Sequence, residues 1–349
     1  MKTCFRFWVG VSLVLVYIVI AAGAIVRVTG SGMGCPDWPK CFGYLIPPTE
    51  RAQLDWNSQH EYSEGEVIIL DEVLRVAKTD FISSLQYTES NWETYTKHDY
   101  ALFNVFHTWV EFINRLAGAL AGIATLLVGV LSIRYWKKKK RIPTLSILII
   151  LGMGFQAWLG KTVVDSNLLP AKITVHMVMA LLIVALLVYL YAYTSPHEKE
   201  ATTTPTLIKK LGLAAIVLTL IQIGIGTQIR QFIDLQIDFY GLDQAAKWLN
   251  PAPFKFYFHR SFSLLVVFIN GYLFYTLRKM KLNFPVFKWI IFTLICEVFT
   301  GILMYYLDFP FASQPLHLLL ASLLFGAQLY FLFQLFHQNI NTPTYDLSI

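Results

Sequence analysis

Eight stretches of about 20 apolar residues divide the chain, each long enough to cross a hydrocarbon layer about 30 Å thick. They lie near Phe7 to Val26, Tyr100 to Ile133, Thr144 to Val164, Lys172 to Tyr193, Leu211 to Ile229, Lys255 to Leu277, Pro285 to Tyr306 and Pro315 to Phe336. In lipid a backbone must satisfy its own polar groups, and runs of this length do so as helices. The pattern therefore predicts an all-α polytopic membrane protein with eight transmembrane helices. One connection, Val28 to Asp99, is far longer than the others and is polar and acidic. It carries amphipathic pieces around Val67 to Ala77 and is expected to fold as a cap.

Charge gives the chain a direction. Lys2, Arg6, the run Lys137 to Arg141, Lys209, Lys210, Arg278, Lys279 and Lys281 all fall in the terminus and connections on one side. The opposite loops hold Glu61, Glu64, Glu66, Asp71 and Glu72, then Asp234, Asp238 and Asp243. By the positive-inside rule both termini are cytoplasmic. Composition agrees, with 56% hydrophobic and 14% charged residues and a mean hydropathy of +0.53. The net charge of +6 is this inside bias in short loops and does not point to nucleic acid. Met1 to Arg6 is too short for a transit peptide and the first apolar run lacks a small-residue cleavage site, so that run is expected to be retained in a bacterial plasma membrane.

The second half repeats the first. Gln156-Ala-Trp-Leu-Gly160 precedes His176, and Glu297-Val-Phe-Thr-Gly301 precedes His317, with sixteen residues from glycine to histidine in both cases. Gly23 precedes Arg27 and Gly226 precedes Arg230, each by four. The repeat predicts two four-helix bundles, residues 1–196 with the long loop at 28–99, and residues 197–349. His107, His176, His259 and His317 all lie near the outer ends of even-numbered spans. One such histidine is an ordinary interfacial hydrogen-bonder, but four at like positions suit a bundle holding haem, for which neutral imidazole is an axial ligand. Arg27, Arg115, Arg230 and Arg260 are candidate partners for haem propionates, since a guanidinium fork matches a carboxylate. Snorkelling to the interface is the plainer alternative.

Three segments carry a resemblance: Gly23-Ala-Ile-Val-Arg-Val-Thr-Gly-Ser-Gly32, Cys35-Pro-Asp-Trp-Pro-Lys-Cys41 and Glu111-Phe-Ile-Asn-Arg115. Together with His259-Arg260 and His317 they resemble the haem A synthase family, and the likeness runs across all eight spans. The resemblance implies oxidation of the C8 methyl of haem O to the formyl of haem A for terminal oxidases. It further implies a haem b in the C-terminal half and the substrate haem in the N-terminal half, with haem O delivered by a farnesyltransferase and electrons exchanged with a partner. For Glu111 it implies a role in the oxidation, as acid/base or cation-stabilising group near the methyl carbon; a buried partner for Arg115 is the plainer reading. Two hydroxylations would give a gem-diol that loses water. Cys35 and Cys41, with prolines between them on the outer side, lie where a disulfide persists. The resemblance implies that bond above the substrate haem, as a redox-active pair or a plain loop staple.

One position departs from the family. Where its second-span signature usually has histidine, this chain has Asn114, which corresponds to His259 in the repeat. Arg278 lies nineteen residues after His259, and Arg134 lies twenty after Asn114 but twenty-seven after His107. His107 sits about 10 Å further out than Asn114 at 1.5 Å per residue. Either the substrate haem rides higher between His107 and His176, or His176 alone holds its iron. Gln156 and Glu297 are expected to be structural hydrogen-bonders, His60, His98, His197 and His337 to be solvated, and Cys4 and Cys296 to be inert. A membrane b-type di-haem electron carrier also accounts for His176, His259 and His317, but not for Glu111 or the cysteine pair. A repeat-built transporter accounts for the duplication but not for histidines at a common depth.

Overall fold

A computed structural model gives the fold and describes residues 2–96, 103–166, 168–195 and 205–337. His98, His197, the His337 side chain and the tail beyond it lie outside the described residues. Eight helices long and apolar enough to cross a membrane are present: α1 (Lys2–Val28), α2 (Val105–Ser132), α3 (Arg141–Val164), α4 (Pro170–Tyr193), α5 (Thr206–Tyr240), α6 (Phe254–Lys279), α7 (Val286–Tyr306) and α8 (Ser313–His337). Local chemistry marks their starts. The Asn104 side chain accepts the backbone N–H of His107 at 3.2 Å to cap α2, and Pro170 opens α4, where its missing N–H costs nothing.

The helices pack as two rings of four. In the first, α1, α2, α3 and α4 contact in cyclic order, and in the second α5, α6, α7 and α8 do the same. The rings meet chiefly through α8, which lies against α1 and α4. Helices α2 and α4 are thus diagonal partners in one ring, as are α6 and α8 in the other. A single apolar core runs through both rings, including Val9, Ile149, Val184 and Leu187 from the first and Ile208, Leu273, Ile290 and Leu335 from the second. Apolar side chains such as Ile123, Val130, Leu264 and Trp289 stay exposed on the outer face, as expected where lipid is the solvent.

The long connection is a β-structured cap. Strands β1 (Glu61–Tyr62) and β4 (Phe81–Ile82) pair antiparallel, and β2 (Val67–Leu70), β3 (Val73–Ala77) and β5 (Trp92–Thr94) form a three-stranded antiparallel sheet in the order β2-β3-β5. The amphipathic stretch Val67 to Ala77 is thus a hairpin, with Val67 opposite Val76 and Leu70 opposite Val73. Successive side chains of a strand point to opposite faces. Val67, Ile69 and Leu74 pack with Cys35, Cys41, Phe42 and Leu54, while Ile68 and Ala77 pack with Tyr62 and Trp92. The sheet is a layer between the cysteine loop and an aromatic cluster.

Candidate haem sites

Each ring contains two places where a polar side chain of an even-numbered helix lies against a glycine of the preceding helix. A Cβ built on Gly160 would lie 3.4 Å from His176 Cε1, one on Gly226 would lie 3.2 Å from His259 Cε1, and one on Gly301 would lie 3.7 Å from His317 Cε1. The fourth place pairs Gly23 with Asn114, whose Oδ1 lies 3.8 Å away. The set repeated at one depth is therefore Asn114, His176, His259 and His317. His107 stands outside it, with its Nδ1 2.9 Å from the Ser31 hydroxyl.

Four residues before each cradle glycine stands the residue that steadies the histidine. Gln156 Nε2 donates to the His176 carbonyl at 3.1 Å, and Gln222 Nε2 donates to the His259 carbonyl at 3.1 Å. Glu297 Oε2 lies 3.0 Å from His317 Nδ1, with the Thr300 hydroxyl 2.9 Å from the same nitrogen. That leaves His317 Nε2 for a metal, with a carboxylate behind the ring raising its basicity. Before Gly23, whose cradle faces Asn114 and not a histidine, the corresponding residue is Val19.

These sites gather unsatisfied polar atoms. Asn114 Oδ1, Gln156 Oε1, His176 Nδ1, Gln222 Oε1, His259 Nδ1 and Glu297 Oε1 are all buried without a hydrogen-bond partner. Buried polar groups are normally satisfied, so this concentration beside four glycine cradles marks where a ligand would sit, and the imidazole nitrogens are the atoms among them that suit haem iron. The residues fit haem: His259 and His317 would be the axial ligands in the second ring, and His176 in the first.

The first ring adds a feature that the second lacks. From Ser31 onward the cap's first segment runs down α2, touching His107, Thr108, Glu111 and Arg115 in turn, a descent of about 12 Å at 1.5 Å per residue. Gly34 makes this approach possible, since a Cβ there would collide with the His107 carbonyl. Thr108 donates to the Gly34 carbonyl at 2.8 Å. The Cys35 N–H donates to Glu111 Oε2 at 2.9 Å, and Arg115 forms an ion pair with the other carboxylate oxygen. Arg115 Nη1 also donates to the carbonyls of Asp37 at 2.7 Å and Lys40 at 3.0 Å. Cys35 and Cys41 form a disulfide. Asp37 closes the loop by accepting the N–H groups of Phe42 at 2.6 Å and Gly43 at 2.8 Å. Burial pushes the Asp37 carboxyl above the ordinary range, against the lowering effect of those donors and of Arg115. The Tyr95 hydroxyl, bonded to the Pro36 carbonyl, is pushed up to about 12 by burial.

The arginines divide by surroundings. Arg27 and Arg230 both reach Asp234, Arg230 at 2.9 Å, and Arg230 also bonds Gln314. Asp234, in the part of α5 that extends beyond its apolar run, joins two of the candidate arginines, a pairing that the loop-charge reading missed. Arg260 is exposed and lies over the Tyr257 ring at 5.3 Å. His60 is exposed in the cap beside Tyr62, and Cys4 and Cys296 are free thiols.

Two rings of membrane helices, each with polar side chains of its even-numbered helices set against glycines of the preceding helix, make this an integral membrane protein with candidate haem sites. Comparison with known sequences agrees. The pattern described as cytochrome oxidase assembly protein matches residues 6–88 and 72–329, and the chain belongs to that family. A heme A synthase of Wolbachia pipientis subsp. Culex pipiens is 24% identical over 351 residues, covering 93% of this chain and 95% of that protein. The heme A synthase of Wolbachia pipientis wMel is also 24% identical, covering 93% and 91%. One of Shewanella oneidensis is 26% identical over 214 residues, 61% of this chain and 52% of that protein.

Proposed function

We propose that this chain oxidises the C8 methyl of haem O to the formyl of haem A by two successive hydroxylations, the resulting gem-diol losing water, and so supplies haem A to terminal oxidases. The N-terminal bundle, residues 1–196, takes haem O as substrate. The C-terminal bundle, residues 197–349, holds a resident haem b between His259 and His317. Relatives named heme A synthase along nearly the whole chain support this reading.

The observation that carries the division of labour is Glu111. It lies three residues before Asn114, is 3% exposed, and has a counterpart in the second ring that is not a carboxylate. Three residues before His259 stands Phe256, stacked on Tyr305 at 5.0 Å. A buried carboxylate beside the methyl carbon can take a proton or stabilise developing positive charge, and such catalysis contributes about 10² to 10⁴ in rate. The histidine surroundings differ in the same sense. Glu297 behind His317 makes it a strong ligand for a haem that stays. Gln156 bonds only the backbone of His176, as suits a haem that must leave.

When bound, the resident haem supplies one-electron chemistry. Arg260, without a carboxylate contact among the described residues, is the readiest propionate partner. Arg27 and Arg230 would share theirs with Asp234, and Arg115 is committed to the disulfide loop. The location that goes with this reading is a bacterial plasma membrane with both termini inside and the cap outside, where haem O arrives from a farnesylating enzyme and electrons are exchanged with a partner. Pigment analysis of membranes with and without the chain tests the reading. Haem A should form only with the chain, and haem O should accumulate without it. Equal pigments in both would hand the protein to the electron-carrier class, which leaves Glu111 without a task.

A further inference from the structure

We infer that in this chain the substrate haem has one protein axial ligand, His176, and that its opposite face, under Asn114, is a binding site for a small exogenous ligand that the Asn114 carboxamide hydrogen-bonds. The inference rests on the reading of the N-terminal bundle as the haem O site.

Four places share one construction, a glycine facing a planar side chain of the next helix, and three of them hold imidazole. At the fourth the same geometry presents a carboxamide, with its oxygen buried, unpartnered and 3.8 Å from a Cβ built on Gly23. Imidazole nitrogen suits iron, whereas a neutral carbonyl oxygen suits hard ions such as magnesium or calcium. The carboxamide also ends closer to its backbone than an imidazole Nε2 would, which leaves room above the ring plane. His107 does not fill that room, because seven residues of helix set it about 10 Å further out, where its ring meets Ser31 of the cap. Val19 stands where Gln222 steadies His259, so no second amide crowds the position. Asn114 is thus the polar group over an open axial face, with Glu111 one turn further toward the cap.

The test uses the full chain in detergent, loaded with ferric haem to saturation and examined by absorption and EPR. Two haems per chain are expected, one low-spin and one high-spin. Azide in the ferric state and carbon monoxide in the ferrous state should each bind one haem per chain. Asn114→His should convert the high-spin haem to low-spin and abolish both ligands. Asn114→Ala should keep the high-spin haem but weaken azide roughly three- to tenfold, the worth of one hydrogen bond. Two low-spin haems that ignore carbon monoxide would overturn the inference while leaving the substrate site standing. Loss of one low-spin signal in His107→Ala would then identify the ligand that displaced it. Azide affinity unchanged in Asn114→Ala would remove the carboxamide from the site. Uptake of a single haem, unaffected by His176→Ala, would overturn the substrate-site reading and this inference together.

Discussion

Replacing Arg115 with methionine keeps the aliphatic stem and deletes the guanidinium's contacts to Glu111, Asp37 and Lys40, while the Cys35–Glu111 and Gly34–Thr108 hydrogen bonds to α2 remain. Arg115 holds Glu111 through Nε at 3.1 Å and through an ion pair at Nη2, and it holds the Asp37 and Lys40 carbonyls through Nη1. Both side chains are well buried, at 15% and 4% exposure. Breaking a buried pair by removing one partner leaves an uncompensated charge and costs about 3–5 kcal/mol. Cys35 and Cys41 are 0% and 1% exposed, so a reductant must wait for the loop to open, and the reduction rate follows the open population. At about 1.4 kcal/mol per tenfold, Arg115→Met should speed reduction of the disulfide by roughly a hundred- to a few-thousandfold. The assay is a time course with a water-soluble phosphine, quenched by alkylation and read by mass mapping. Glu111→Gln breaks the same pair from the other side and should raise the rate toward the low end of that range, roughly a hundredfold, because the amide oxygen still accepts the Cys35 N–H and Arg115 keeps both carbonyls. The double variant should fall short of the product of the two effects, since the residues share one network. A folded, membrane-inserted Arg115→Met protein reduced at the parental rate would refute the claim that this arginine is what seats the loop.

Other outcomes follow from the same geometry. His259→Ala or His317→Ala should each abolish the low-spin b-type absorbance, and its full retention in both variants would exclude the pair as ligands. Gly226→Val should displace the His259 ring, 3.2 Å from the new Cβ, and empty the second ring of haem. Gly118→Val, at a glycine with nothing within 4 Å, should leave haem content unchanged, and equal loss in both would refute the cradle. Asp234→Asn should leave Arg27 and Arg230 without a shared anion and cost about 2 kcal/mol, seen as a lower melting temperature with intact haem spectra. A melting temperature equal to the parent's would show that this cluster adds nothing to stability.

Hydropathy located all eight helices because lipid crossing imposes a length and an apolar content on each. It stopped short on α5, whose run near Leu211 to Ile229 continues to Tyr240. The extension carries Arg230, Gln231 and Asp234, polar residues stabilised by α1, α4 and α8, partners that no local window contains. The sixteen-residue interval from glycine to histidine was legible in α3–α4 and α7–α8 because short connections join those helices. Between Gly23 and Asn114 lies the cap, so the spacing signal vanished there, and what marked Asn114 was its arginine neighbour, matching His259-Arg260, together with the count from Arg134. Glu111 stood out as a membrane carboxyl. Its attachment to the Cys35 N–H, 76 residues away in sequence, required the fold.

The strand β2 couples water to membrane. Its two faces are spent on different neighbours, Val67 and Ile69 on the cysteine loop and Ile68 on the aromatic layer, so the strand has no free side on which to slip. Below it the loop is pinned to α2 at Glu111 and Arg115. Trp92 therefore reaches the second helix through three layers in contact, its own aromatic cluster, β2 and the cysteine loop, and a substitution that shrinks its ring loosens the packing under the strand whose other face seats the disulfide.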